Sequence, residues 1–188
     1  MANVNTPFGL KPLRDGASGP TNGGLEMFYV PASDGTALFI GDPVVKNGSS
    51  DAAGVAGAVR AAAGGPITGV VQGFVPDGTT NMVGYRAAST AAYILVNTDL
   101  DTVYEIQDTA GTIAAADVGL NADMTLAAGS TVTKRSAVVL NAASKAATAT
   151  LALKIQGLSP RPGNEFGAYA KVLVKINAAT EANASAGV

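Results

Sequence analysis

Cysteine and histidine are both absent from this sequence, and so is tryptophan. Without cysteine, neither a disulfide framework nor a thiolate metal site is possible. Without histidine, the chain lacks the commonest general base and the commonest metal ligand. These absences exclude most hydrolase, transferase and metalloenzyme designs. The sequence therefore predicts a protein that is not an enzyme and that has no catalytic, cofactor-binding or metal-binding residues.

Charge is also scarce. Charged residues make up 14% of the 188 positions, against an average of about 25%. Hydrophobic residues make up 47%, but much of this fraction is alanine, and only 5% of the chain is aromatic. Alanine buries little area, so we expect one domain with a thin core, stabilised by oligomerisation or by a larger binding surface.

The few charges are unevenly distributed. Residues 87–133 contain six carboxylates and no Lys or Arg, whereas residues 134–188 contain seven cations and two carboxylates. Two interpretations are open. The opposite charges interleave within the folded sheet, or they form complementary patches that orient subunits.

Nucleic acid and membrane are both disfavoured as partners. The formal net charge is -2, and no basic stripe carries interleaved aromatic residues. No apolar run approaches the ~20 residues that span a bilayer. The first residues lack the cationic start and apolar core of a secretory signal. We expect a soluble protein that is synthesised in a cytoplasm.

Alternation of apolar and polar residues predicts an all-β fold. The clearest case is residues 151–177, where two alternating runs flank a loop that contains Pro160 and Pro162. Prolines lack the N–H group that a ladder needs, so this loop separates two strands. Roughly ten short strands with turn signals every 8–12 residues predict an antiparallel jelly-roll-like sandwich or barrel with little helix.

The two ends of the chain differ from its middle. Residues 1–24 contain three prolines and no sustained period, which predicts an extended N-terminal arm. Phe8 and Leu10 are apolar anchors in this arm, and they need a groove on their own domain or on a neighbour. Residues 25–177 are predicted to form the β-domain, and residues 178–188 a low-complexity C-terminal tail.

Two local patterns predict reversals of the chain. Asn47-Gly48 predicts a tight turn, because both residues tolerate positive φ. Residues 93–96 and 102–107 are two apolar runs separated by a polar stretch, and we interpret them as a hairpin.

Glycines and one alanine-rich stretch give two further expectations. Gly69 and Gly73 interrupt a strand and indicate a bulge or bend. Residues 112–126 are the one good helix candidate, in which Thr112 caps a short turn and Gly119 ends it.

One acidic pattern superficially resembles a calcium-binding loop. Asp99, Asp101 and Glu105 are spaced two and four residues apart. The pattern lacks the glycine and the full ligand spacing of an EF-hand, and the apolar residues within it favour a strand. It therefore does not predict a metal site.

Several segments resemble a known family. They are NTPFGLKP at 5–12, YVPA at 29–32, ALFIGDPV at 37–44, and a closing block with GL at 157–158, RPGNEFG at 161–167 and AKVLVKIN at 170–177. Together they resemble the structural cement, or head decoration, proteins of tailed bacteriophages. The likeness covers both ends of the domain, is looser in the middle, and rests on structural rather than catalytic motifs.

The resemblance implies a non-enzymatic protein on the outer surface of a phage head, synthesised in the host bacterial cytoplasm. Its partners would be the major capsid protein and itself, as a homo-dimer or homo-trimer. Such proteins carry a jelly-roll-like β-domain and clamp neighbouring capsid subunits against internal DNA pressure. The alternative is another virion β-module, in the tail or fibre, or a host-surface binding domain.

The interface hypothesis rests on two segments, the arm and the loop between the last two strands. For Phe8 and Leu10, the alternative is packing on their own domain. For the loop, the alternative is an ordinary hairpin turn. The candidate capsid or inter-subunit contacts are Thr6, Pro7, Phe8, Gly9, Leu10, Arg161, Asn164, Glu165 and Phe166.

Overall fold

A computed structural model describes residues 3–15, 19–20, 24–76 and 84–180. Within them, the secondary structure is almost entirely β, with two three-residue 3-10 turns at Ala115–Asp117 and Ala142–Ser144. The strands are β1 (Lys11–Asp15), β2 (Gly19–Pro20), β3 (Glu26–Val30), β4 (Pro43–Ser50), β5 (Ala56–Arg60), β6 (Gly69–Phe74), β7 (Ala92–Asn97), β8 (Thr102–Gln107), β9 (Asn121–Ala122), β10 (Met124–Thr125), β11 (Val139–Leu140), β12 (Leu153–Leu158) and β13 (Lys171–Ile176).

The strands form two main units. One is a six-stranded sheet in the order β2-β1-β8-β13-β12-β9, and the other is a closed barrel in the order β3-β5-β4-β6-β7. A two-stranded sheet, β10-β11, accompanies them. All pairs are antiparallel except β3 with β5. This confirms the predicted all-β, antiparallel fold with little helix, while the jelly-roll order of strands stays a prediction.

Each unit has its own apolar core. The barrel is filled by residues from its five strands and from the segment before β4; they are Phe28, Val30, Leu38, Val44, Ala58, Val71, Ile94 and Val96. The larger core lies against the six-stranded sheet, where β8, β12 and β13 contribute Tyr104, Ile106, Leu153, Ile155, Val172, Val174 and Ile176. Leu10, at the start of β1, is also part of this larger core.

The predicted C-terminal strand pair is confirmed. β12 and β13 pair antiparallel, with Leu153 opposite Ile176, and the register shifts between Ile155 and Gly157. β13 also pairs with β8, which places it in the interior of the sheet. The loop between β12 and β13 therefore projects from the middle of the sheet rather than from its edge.

The predicted hairpin between residues 93–96 and 102–107 is wrong. The two strands exist, but β7 belongs to the barrel and β8 to the six-stranded sheet. Both edges of β7 are occupied by β3 and β6, and both edges of β8 by β1 and β13. Residues 98–101, between β7 and β8, therefore connect the barrel to the six-stranded sheet.

The predicted tight turn at Asn47-Gly48 is also wrong. Gly48 does adopt a positive φ of 73°, but both residues lie inside β4, at a register shift between Lys46 and Ser50. The positive φ of Gly48 therefore belongs to a β-bulge and not to a turn. The chain reverses later, where Asp51 Oδ1 accepts hydrogen bonds from the backbone N–H groups of Ala53 and Val55.

Two other local predictions hold at least in part. β6 has a register shift between Val71 and Gly73, as the strand glycines indicated. The helix candidate shrinks to a single 3-10 turn, after which Gly119 adopts a φ of 93°. Thr112 does not cap it; instead Asp117 Oδ2 accepts a hydrogen bond from the backbone N–H of Ala114 at 2.8 Å.

The described parts of both chain ends are bonded to the domain. β1 pairs with β8 and β2 with β1, so the second half of the predicted arm forms strands of the six-stranded sheet. In the predicted tail, Ile67 N–H donates to Ala178 O at 2.8 Å and Thr180 N–H donates to Ile67 O at 3.1 Å. Within the described residues, no helix is long and apolar enough to cross a membrane.

One end of the barrel is held by a buried cation, Arg86, that the sequence did not single out. Its guanidinium donates hydrogen bonds to the carbonyl oxygens of Pro31, Asp34, Thr36 and Thr90 at 2.5–2.8 Å. The Asp34 carboxylate lies 3.4 Å from Arg86 Nη1. Because buried backbone oxygens need donors, this one side chain fixes the β3–β4 connection against the strand entry before β7.

A buried carboxylate, Asp108, follows directly after β8. Its Oδ2 has no hydrogen-bond partner among the described residues. Burial raises the pKa of Asp108 to about 7, while hydrogen bonding by Thr109 and the charge of Lys145 oppose this shift. In an unfolded chain, the pKa of aspartate is about 3.9. Between these two values the folded state holds a proton that the unfolded state releases, so folding stability falls as pH rises.

We predict that the melting temperature falls between about pH 4 and pH 7 and that Asp108→Asn removes much of this dependence, because an amide cannot ionise. Thermal unfolding followed by circular dichroism at several pH values measures it. Asp101→Asn is the matched control, since Asp101 is exposed. An Asp108→Asn variant with the wild-type pH slope would contradict the assignment.

Candidate interaction surface

The two segments of the interface hypothesis lie next to each other. Asn3 joins them: its Nδ2 donates to Glu165 O at 2.8 Å and to Ala168 O at 3.0 Å. In return, Glu165 N–H donates to Asn3 Oδ1 at 3.2 Å. The start of the chain and the β12–β13 loop are separated by more than 150 positions in sequence, and they form one continuous surface. We call residues 3–8 and 159–166 together the junction surface.

A buried glutamine fixes the N-terminal half of the junction surface. Gln107, the last residue of β8, accepts a hydrogen bond from Thr6 N–H at its Oε1, at 2.7 Å. Its Nε2 donates to Asn5 Oδ1, also at 2.7 Å. This bidentate contact holds the segment extended against the end of the sheet.

A buried carboxylate organises the loop half. Glu105 in β8 is 1% exposed. Its Oε1 accepts hydrogen bonds from Ser159 Oγ at 2.5 Å and from Arg161 Nε at 2.7 Å. The Arg161 guanidinium also lies over the ring of Phe8, with 5.7 Å between its carbon and the ring centroid. Charge pairing and cation–π contact therefore act on the same side chain and hold the two halves together.

A second cation lies beneath the surface. Lys171 Nζ donates to Val4 O at 2.5 Å and to Tyr169 O at 3.2 Å. Burial lowers the pKa of Lys171, the charge of Arg161 lowers it further, and Glu105 opposes both. This lysine therefore serves as a donor that anchors the N-terminal segment.

The loop is braced from within by Asn164. Its Nδ2 donates to Ser159 O and Lys171 O at 2.9 and 2.8 Å, and its Oδ1 accepts from Lys171 N–H at 3.0 Å. Gly163 beside it adopts a φ of 74°, which favours glycine. Asn164 thus shapes the loop and is not free to contact a partner.

The exposed groups of the junction surface include two apolar side chains and a cation. Val4 is 68% exposed, Phe166 is 39% exposed and the Arg161 side chain is 45% exposed. Val4 and Arg161 border a recess of about 320 Å³ that Asn3, Thr6 and Pro162 also line. An exposed aromatic, an exposed aliphatic and a stacked arginine are the side chains that protein interfaces favour.

The structure separates the predicted contact residues into three groups. Thr6, Pro7, Arg161, Glu165 and Phe166 are exposed, and Phe8 and Asn164 are half-buried. Gly9 and Leu10 are buried, and Leu10 lies in the chain's own core. For Leu10, the alternative of packing on its own domain therefore holds.

Gly9 has a steric requirement of its own. It adopts a φ of 73°, and a Cβ built there would lie 2.5 Å from both Gly41 O and Ser136 Cβ. A larger residue does not fit between these groups. The glycine in the arm therefore allows the segment to approach the barrel rather than a partner.

The sequence did not indicate that five further residues belong to this surface or support it; they are Asn3, Val4, Glu105, Gln107 and Lys171. For the charged residues among them, the uneven distribution of charge along the sequence was a signal. Three ion pairs join the acidic stretch to the basic one; they are Lys145–Asp117, Arg161–Glu105 and Lys175–Asp101, at 2.6, 2.7 and 3.0 Å. For these residues, the interleaving interpretation holds.

Two carboxylates of the pattern that resembles a calcium loop pair with different cations in the structure. Glu105 is buried with Arg161, while Asp101 Oδ1 accepts from Lys175 Nζ near the surface. Within residues 3–15, 19–20, 24–76 and 84–180, no group of three or more carboxylates could hold a metal ion.

Comparison with protein-family models, with curated proteins and with solved structures gives no significant match to this chain.

We predict that Arg161→Met lowers the free energy of unfolding by about 1–3 kcal/mol, because it leaves the Glu105 carboxylate buried without a cation. The double variant Glu105→Gln/Arg161→Met removes both charges and should recover most of that loss. Urea unfolding of the wild type, both single variants and the double variant measures the coupling. Equal losses in Arg161→Met and in the double variant would contradict the pairing.

Proposed function

We propose that this protein is a capsid cement, or decoration, protein that binds the outside of a phage head and clamps neighbouring major capsid proteins. The observation that carries the proposal is the convergence of two distant motifs. NTPFGLKP at 5–12 and RPGNEFG at 161–167 resemble cement-protein sequences, and they meet at the junction surface. Convergence of this kind is expected if both motifs serve one binding surface.

The junction surface has the chemistry for binding another protein. Val4 and Phe166 offer apolar area, and Arg161 offers an exposed guanidinium that pairs with Glu105 through its Nε. Glu105, Gln107 and Lys171 lie beneath these groups and hold them in place. Preorganised side chains lose little entropy on binding, so a modest area suffices.

The proposed mechanism is mechanical. A specific interface buries ~800 Å² per partner, and each copy placed across a junction between capsid subunits adds contacts that DNA pressure has to break. Repetition over the shell makes a modest contact effective through multivalency. Because Leu10 is buried, the proposal assigns the capsid contact to the exposed residues of the junction surface instead of an arm that detaches.

Self-association into a homo-dimer or homo-trimer is part of the proposal. The low charge of the chain and its small aromatic content support it, since both favour a protein that is stabilised by neighbours. Neither nucleic acid nor membrane is proposed as a partner, and no enzymatic activity is proposed.

The test is reconstitution on purified phage heads that lack the protein. We predict that the wild type binds and raises the head rupture temperature. Val4→Ser/Phe166→Ser should weaken binding about tenfold or more, because it removes the exposed apolar contacts. Leu25→Ser/Met27→Ser is the matched control, as these two residues are 40% and 47% exposed elsewhere on the chain.

Co-sedimentation measures binding, and calorimetry of the heads measures rupture. If the wild type does not bind heads, the cement proposal fails; labelled protein on phage tails in electron micrographs would then favour the tail or fibre alternative. If both double variants lose binding equally, the junction surface is not the contact.

A further inference from the structure

A second cleft lies between the start of β1 and the barrel, and Phe8 is part of its lining. It has a volume of about 230 Å³, the size of one or two side chains. The apolar part of its lining comes from Phe8, Leu10, Pro12 and Ile40. A cleft of this kind accepts an apolar group, but its polar lining restricts which one.

Two cations line the cleft and have no carboxylate partner within the described residues. Lys11 and Arg135 are both exposed, and neither takes part in an ion pair there. The other described arginines outside β1 differ: Arg60, Arg86 and Arg161 each face a carboxylate. Two unpaired cations beside one apolar cleft give it a positive potential.

The third polar group is an amide at the β6 bulge. Gln72 lies between Val71 and Gly73, where the register against β7 shifts, and it lines the cleft. Its Nε2 is fully buried and has no acceptor among the residues that the structure describes. A buried donor without an acceptor is costly, and native structures satisfy nearly all of them. The Gln72 amide is therefore a donor for an oxygen acceptor that enters the cleft.

We propose that this cleft binds an acidic side chain that a partner protein presents next to an apolar residue. The carboxylate would accept from Gln72 Nε2 and pair with Arg135 and Lys11, while the neighbouring apolar group would pack on Phe8 and Ile40. Charge complementarity selects an acidic partner, and the apolar walls select a residue with an aliphatic neighbour. The inference does not depend on binding to phage heads.

The first experiment follows the Gln72 side-chain amide by NMR while hexanoate is added to the full-length protein. We expect a saturable shift of this signal with hexanoate and none with hexanol, which lacks the charge. Arg135→Gln should weaken hexanoate binding about tenfold, as expected for loss of a charge-assisted hydrogen bond. Arg14→Gln is the matched control, since Arg14 is also exposed but does not line the cleft.

The second experiment tests the protein source of the carboxylate. A capped leucyl-glutamyl-leucine tripeptide should shift the same amide and bind more tightly than hexanoate, while its glutamine counterpart should bind at least tenfold more weakly. Equal binding of the two peptides would overturn the proposal, and so would hexanoate binding without peptide binding. A Gln72 signal that responds to neither probe would also overturn it, whatever the result on phage heads.

Discussion

The burial of the Glu105 carboxylate is the constraint on which the candidate surface depends. A carboxylate in the interior of a sheet has to be hydrogen-bonded and paired, or folding becomes unfavourable. Ser159 and Arg161 supply these contacts, and both come from the β12–β13 loop. Arg161 in turn lies over Phe8. One buried charge thus determines where the loop lies and which face of the N-terminal segment is covered.

The same segment also ties the sheet to the barrel. Leu10 N–H donates to Gly41 O at 2.9 Å, and Gly41 N–H donates to Val71 O in β6 at 2.8 Å. The tight approach at Gly9 makes this link possible. The N-terminal segment therefore contacts the six-stranded sheet through Gln107 and the barrel strand β6 through Gly41.

Local patterns predicted the strands well and their partners poorly. Alternation located β12 and β13, and strand glycines located the bulge in β6, because both signals depend on the chain alone. The choice of neighbours for β7 and β8 depends on the whole fold, so proximity in sequence suggested a hairpin that does not exist. Gly48 shows the same limit, since positive φ suits a bulge as well as a turn.

The candidate site was predictable in outline but not in detail. The motifs predicted an interface in the N-terminal segment and in the β12–β13 loop, and these two segments do meet. Which residue is buried and which is exposed follows from packing: Leu10 enters the core, while Val4 stays outside. The supporting residues Glu105, Gln107 and Lys171 carry no motif, because their roles arise only when β8 and β13 become neighbours.

Site-specific photo-crosslinking on intact heads tests the central claim most directly. A photoreactive residue at position 4 should crosslink to the major capsid protein, because Val4 lies on the junction surface. The same residue at position 53 should not, since Ala53 lies on the β4–β5 turn of the barrel. Crosslinking from position 53 and none from position 4 would contradict the account.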